Sequence, residues 1–142
     1  MIGGAPTLKI KLQIYCGDEI AMGPGKADLL DAITREGSIS AAGRAMGMSY
    51  RRAWLLVDVM NRCWCEPLVT TSMGRSPRGG SAKLTPFGSE ILAGYRAIQA
   101  QATQIRYHGT WTGLEARLLA RPLEQQRHSK VQAHLHSSGL ID

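Results

Sequence analysis

Residues 37–61 constrain this chain more than any other stretch. Ser38 can cap a helix over residues 39–46, and the small side chains of Ala41, Ala42 and Ala45 would let a second helix cross it closely. Gly47, Met48 and Ser49 then form a turn, and Ser49 can cap the next helix, whose first turn carries Arg51 and Arg52. Two short helices joined by a three-residue turn containing a glycine have the layout of a helix-turn-helix.

Periodicity supports the second helix. Ala53, Leu56, Val57 and Met60 follow the i, i+3, i+4, i+7 spacing of one buried stripe. Stepping ~100° per residue from that stripe puts Arg51, Leu55, Asp58 and Arg62 on the opposite face. A helix with an apolar back and an arginine-bearing front suits the DNA major groove. Arginine pairs bidentately with guanine, and an apolar side chain such as Leu55 can touch a thymine methyl. A recognition helix reaches base edges with its N-terminal residues, which makes Ser49, Tyr50, Arg51 and Arg52 the leading candidates, followed by Leu55 and Arg62. The same pattern also describes an ordinary amphipathic surface helix, so the flanking segments have to decide.

Both flanks agree with the first reading. Upstream, residues 25–36 form an amphipathic segment with Leu29, Leu30 and Ile33 on one face, stopped by Gly37. Downstream, residues 67–72 are β-branched and residues 81–84 suit a second strand. Residues 73–80, rich in Gly, Pro and Ser, join them as a loop. A hairpin with a basic tip directly after a recognition helix is the wing of a winged helix, and Arg75, Arg78 and Lys83 would approach phosphates or the minor groove. Thr85 then caps a further helix with Pro86 at its first position, continuing to about residue 107. Its seam of Ile91, Leu92, Tyr95, Ile98, Ala102 and Ile105 exceeds what a small domain covers, which points to a dimer contact. Packing on the N-terminal segment of the same chain is the alternative. The expected fold is mainly α with a small β wing: a winged helix-turn-helix with a long C-terminal dimerisation helix.

The opening residues 8–14 alternate Leu8, Ile10, Leu12 and Ile14 with Lys9, Lys11 and Gln13, the period of a half-buried strand. Such a strand could extend the wing hairpin, in its own subunit or across a dimer. Residues 17–25 would then be a connecting loop.

The order Gly37-Ser-Ile-Ser40, Ala42, Gly47-Met-Ser-Tyr50, Ala53-Trp54, Met60-Asn61, Leu68-Val69, a glycine-rich wing, and then Leu84-Thr85 with Gly88 resembles a known family. It is similar to the N-terminal DNA-binding domain of the ModE family of bacterial molybdate-responsive transcriptional regulators, over roughly residues 7–106. The Ser49-Tyr50, Ala53-Trp54 cluster is its specific part; the Ala41-Ala42 turn alone is shared with LysR-type regulators. The resemblance implies a dimeric winged helix that binds a palindromic site on double-stranded DNA, with the long helix joining the subunits. It puts Ser49, Tyr50, Arg51 and Arg52 at the start of the recognition helix and Arg75 and Arg78 in the wing, with Trp54 partly packing and partly flanking the groove. ModE proteins also carry C-terminal β-barrels that hold molybdate. The 35 residues after Tyr107 are too few for such a barrel and lack alternating apolar runs. Residues 111–123 look helical, and 124–142 form a polar tail. The resemblance therefore does not extend to direct molybdate binding.

The expected organisation is a DNA-binding domain over residues 1–106 and a short helical and polar tail over 107–142. Seventeen Lys and Arg against eleven Asp and Glu give a net charge of +6, which suits a nucleic-acid binder. The first 33 residues hold no long apolar stretch, so no signal peptide or membrane span is expected. Three cysteines without disulfide spacing fit a reducing cytoplasm. Cys63 and Cys65, with no histidine nearby, make a poor zinc site, and His128, His134 and His136 read as part of a polar tail, so neither a metal nor a cofactor is expected. No glycine-rich phosphate loop has the required spacing, and no acid–base pair is assembled in one motif, so no enzymatic activity is expected. A winged helix can also serve as a protein-interaction adaptor. The basic front formed by Arg51, Arg52 and Arg62 favours DNA over that alternative.

Overall fold

A computed structural model describes residues 7–73 and 80–127. Its elements run β1 (Ile14–Cys16), β2 (Glu19–Met22), α1 (Pro24–Glu36), α2 (Ile39–Ala45), α3 (Tyr50–Cys63), β3 (Val69–Ser72), β4 (Ser81–Leu84) and α4 (Pro86–Thr103). A 3₁₀ turn over Gln104–Tyr107 follows, and then α5 (Gly109–Arg117). The chain divides into two units, Met1–His108 and Gly109–Asp142. No helix among the described residues is long and apolar enough to cross a membrane.

Local signals set the helix ends. Pro24 opens α1, where its missing N–H costs no hydrogen bond, and the N–H of Gly37 closes the helix on the Ile33 carbonyl at 2.9 Å. The Ser38 side chain accepts from the Ala41 N–H at 3.0 Å, and Ser49 accepts from the Arg52 N–H at 3.1 Å. Thr85 caps α4 through the Gly88 N–H at 2.8 Å. Between α2 and α3, Gly47 adopts φ +71°, a left-handed conformation that glycine takes without a Cβ penalty.

The core lies where α1, α2 and α3 meet. Leu29, Leu30 and Ile33 are fully buried, as are Ala27 and Ala32, so α1 buries a wider face than its leucines alone indicate. The close crossing of α2 and α3 does not use all three expected alanines. Ala42 is buried, Ala41 is half-buried and Ala45 is exposed. Gly43 makes the approach instead: a Cβ there would sit 3.2 Å from the Ala53 Cβ and 3.3 Å from the Met48 carbonyl oxygen.

The two hairpins are separate two-stranded antiparallel sheets. In the wing, Val69 faces Leu84, Thr70 faces Lys83, Thr71 faces Ala82 and Ser72 faces Ser81. The expected strand over residues 8–14 is not formed as such. Only Ile14–Cys16 pairs, with Glu19–Met22, a segment the sequence reading treated as loop. The Cys16–Glu19 pair leaves only Gly17 and Asp18 as the turn, so this hairpin closes over a minimal loop. The free edge of the wing is also engaged, because the Ala82 N–H donates to the Gly37 carbonyl at 2.8 Å. Residues 8–12 run beside α4 and the turn after it. The Leu12 carbonyl accepts from the Tyr95 hydroxyl at 2.8 Å, and the Leu8 carbonyl accepts from Arg106 at 3.1 Å.

The long C-terminal helix is shorter than expected, with α4 ending at Thr103. Its first half carries buried Tyr95 and half-buried Phe87, Ile91 and Leu92 packed on the core. Arg96 reaches Asp28 at 2.9 Å and Asp31 at 2.6 Å, which docks α4 on α1. Farther along, Ile98 and Ile105 remain about half exposed. In the second unit α5 runs from Gly109 to Arg117, so Leu118, Leu119 and Leu123, which fall within the helix expected over 111–123, lie beyond its end.

Three elements converge on Leu68. The Asn61 side-chain oxygen, at the end of α3, accepts from the N–H groups of Leu68 at 2.9 Å and Val69 at 3.1 Å, while its amide donates to the Val69 carbonyl at 3.0 Å. The Leu68 carbonyl accepts from the Thr85 N–H at 2.9 Å. Gly88 packs so closely that a Cβ there would lie 2.0 Å from that same oxygen. Replacing Asn61 by Ala leaves the backbone N–H groups of buried Leu68 and Val69 unpaired and should cost about 2–3 kcal/mol, read as a lowered urea midpoint with an unchanged slope.

Candidate nucleic-acid interface

The candidate surface is built on α3, whose orientation is held at both ends. Ser49 caps its first turn. At its far end Asn61 holds the wing, and the Trp64 indole N–H donates to the Ala21 carbonyl at 3.1 Å. The inward stripe is Ala53, Val57 and Met60, all buried, with Leu56 half-buried. Tyr50, Arg51, Arg52, Trp54 and Leu55 are exposed, so the first turn and a half of the helix presents two guanidinium groups, two aromatic rings and an aliphatic side chain.

The expected site residues divide by position. Ser49, Tyr50, Arg51, Arg52 and Leu55 lie together at the start of α3 and are all exposed. Arg62 is exposed but engaged. Its Nε donates to Asp58 at 2.9 Å one turn back, and that contact holds its pKa above the ordinary arginine value. Lys83 is exposed on β4 opposite Thr70, one residue out of step with buried Ala82, so it projects from the other face of the hairpin. Arg75 and Arg78 lie outside the described residues, as do His128, His134 and His136.

Between the start of α3 and the wing runs an open cleft of about 580 Å³. Tyr50 and Trp54 line one wall, Thr71, Ser72, Ser81 and Ala82 the other, and Ile39 with Ser40 close the end toward α2. Tyr50 is 57% and Trp54 46% exposed. Of the cleft residues, Trp54 is the one that the resemblance sets partly flanking the groove, while Ser40 and Thr71 have no expected contact. The i, i+4 spacing of Tyr50 and Trp54 carried a signal for one shared flank; the wing threonine and the α2 serine carried none, because only tertiary packing brings them there.

Lys26 was also absent from the sequence candidates. Burial lowers its pKa, the nearby Arg52 cation adds to that shift, and Cys63 and Glu19 oppose it, so this α1 cation lies close to α3. The Cys63 thiol is half-buried, and its burial together with the neighbouring Cys16 thiol raises its pKa, the opposite of the activation a thiolate ligand or nucleophile needs. Among the described residues no group of three or more His, Cys, Asp or Glu side chains is gathered for a metal.

No family profile matches the chain. It is 45% identical over 84 residues to the molybdenum-pterin-binding protein MopB of Rhodobacter capsulatus, a match covering 59% of this chain and 31% of that protein. It is 41% identical over 81 residues to the molybdenum transport protein ModE of Azotobacter vinelandii, covering 57% of this chain and 30% of that protein. Over 89 residues it is 32% identical to the DNA-binding transcriptional dual regulator ModE of Escherichia coli (strain K12), covering 63% of this chain and 31% of that protein. The chain thus spans about a third of the length of the curated relatives it matches.

The cap at the start of α3 can be tested apart from any ligand. Ser49→Ala should cost about 1 kcal/mol and lower Tm, while Ser49→Asp, which restores an acceptor, should recover most of the loss.

Proposed function

We propose that this chain is a sequence-specific DNA-binding regulator of transcription of the ModE N-terminal type, acting as a homodimer on an inverted repeat. The observation that carries the reading is the exposed, capped start of α3. It sets Tyr50, Arg51, Arg52 and Leu55 on one surface beside a wing hairpin. Similarity to proteins named as ModE regulators supports it.

In this reading Arg51 and Arg52 pair with guanine in the major groove, and Leu55 contacts a thymine methyl. Ser49 and Tyr50 sit at the base-proximal end of the helix. Lys83, Arg75 and Arg78 make phosphate contacts that fix register and carry no sequence information. Arg62, tied to Asp58, contributes at the edge of the interface. The net charge of +6 draws the protein to DNA and makes its affinity fall with salt.

Dimerisation through the far half of α4 and the 3₁₀ turn after it would cover the exposed Ile98 and Ile105. It would set two α3 helices in successive major grooves about 34 Å apart. The reading places the DNA-binding domain within residues 1–106, the segment that carries the resemblance, and gives oxyanion sensing no part there. No enzymatic step and no cofactor is involved, and the protein acts in the cytoplasm.

Selection from a random duplex library should enrich an inverted repeat bound far more tightly than random DNA, with no change on adding molybdate. Failure to enrich any sequence overturns the regulator reading. Arg51→Ala or Arg52→Ala should cost about 1–3 kcal/mol on the selected site and relax preference at one position per half-site. Equal weakening on random DNA would refute the base-reading assignment.

A further inference from the structure

We propose that Cys16 and Cys63 are a site of reversible oxidation, closing to a disulfide that locks the β1–β2 hairpin to the end of α3. Nothing in that chemistry depends on whether the chain binds DNA.

Two elements far apart in sequence bring these thiols together. Cys63 is the last residue of α3, and Cys16 ends β1, directly before the turn of its hairpin. β2 packs along α3, and the Trp64 indole N–H, donating to the Ala21 carbonyl at 3.1 Å, pins the two elements at this end. Cys16 stands opposite Glu19 in the antiparallel register, so both side chains leave the same face of the hairpin. Glu19 lies close enough to Cys63, Arg62 and Lys26 to act on the charge of each, which turns that face toward the end of α3. There the Cys63 thiol hydrogen-bonds to Cys16. The backbone on both sides is anchored, since Met22 is fully buried and Ile14 and Trp64 pack on the core.

The two thiols are unequally placed. Cys16 is exposed and meets an oxidant from solvent, whereas Cys63 is half-buried and burial keeps it protonated. That asymmetry sets the order of reaction. With a hydroperoxide as oxidant, the Cys16 thiolate attacks one peroxide oxygen, the O–O bond breaks, and Cys16 becomes a sulfenic acid as water or an alcohol leaves. The Cys63 sulfur then attacks the Cys16 sulfur. The S–O bond breaks, the Cys63 proton departs with the oxygen as water, and the S–S bond forms. The two sulfurs lose two electrons, and the peroxide gains them. Cys63 needs no lowered pKa for the second step, because contact with Cys16 makes it intramolecular. A small-molecule thiol reverses the bond by exchange, as suits a transient disulfide in a reducing compartment.

The bond would enclose α1, α2 and α3 in one covalent loop, which removes chain entropy from the unfolded state. It would also fix the last turn of α3, which carries Asn61 and through it the start of β3.

The test treats the full chain with hydrogen peroxide, blocks the remaining thiols and maps linked peptides without reduction. Three free thiols should fall to one, with Cys16 joined to Cys63 of the same chain. Tm should rise by about 10 °C, and dithiothreitol should reverse both changes. Cys65→Ser should behave as the unsubstituted chain does. Cys63→Ser should instead accumulate a dimedone-reactive sulfenic acid at Cys16, and Cys16→Ser should give no such adduct at Cys63. Linkage through Cys65, linkage only between chains, or Cys16 driven to sulfinic acid with Cys63 still free would overturn the assignment. A linked form with an unchanged or lowered Tm would overturn the lock. Mapping on the unsubstituted chain keeps the result readable even where a serine variant folds poorly.

Discussion

The peptide units around Leu68 hold the rest of the surface in place. Leu68 is fully buried, and a buried backbone leaves no water to satisfy its N–H and carbonyl. Asn61 from α3 takes the N–H, and Thr85 at the start of α4 takes the carbonyl. Gly88 lets the α4 backbone come within contact of the same group. The helix α3, the β3–β4 hairpin and α4 are therefore referenced to one another through a single short segment. A rotation of α3 relative to the hairpin would break all three Asn61 hydrogen bonds together.

From that junction the surface separates into two kinds of chemistry. The outward face at the start of α3 carries cations, with Arg51 and Arg52 exposed and Lys26 nearby on α1. The flank toward the wing carries rings and hydroxyls. The ion pair of Arg62 with Asp58 limits how far the basic strip extends along α3.

Much of the fold was legible because its signals are local. Ser38, Ser49 and Thr85 each cap the helix expected from their position, Pro86 opens α4, and Gly37 ends α1. The stripe of Ala53, Val57 and Met60 faces inward as its spacing required. The wing strand at residues 81–84 falls where β-propensity put it, while β3 begins two residues late because Pro67 and Leu68 give their backbone groups to Thr85 and Asn61. The alternation of residues 8–14 signalled half-burial correctly for Leu12 and Ile14 but named the wrong partner. Periodicity reports which face is buried, not which strand supplies the hydrogen bonds, and here the Leu12 carbonyl goes to Tyr95 of α4 and the Leu8 carbonyl to Arg106 in the turn beyond.

The sequence by itself determined the helix ends, the inward stripe of α3, the wing and the basic front of the candidate surface, since each depends on neighbours within a few residues. Tertiary structure decided what no short-range pattern encodes: Asn61 as a clamp, Gly43 as the crossing point, the pairing of β1 with β2, and the cleft between α3 and the wing. Each of these joins residues from different elements, and which distant groups meet is set by the mutual burial of whole faces rather than by any one stretch of chain.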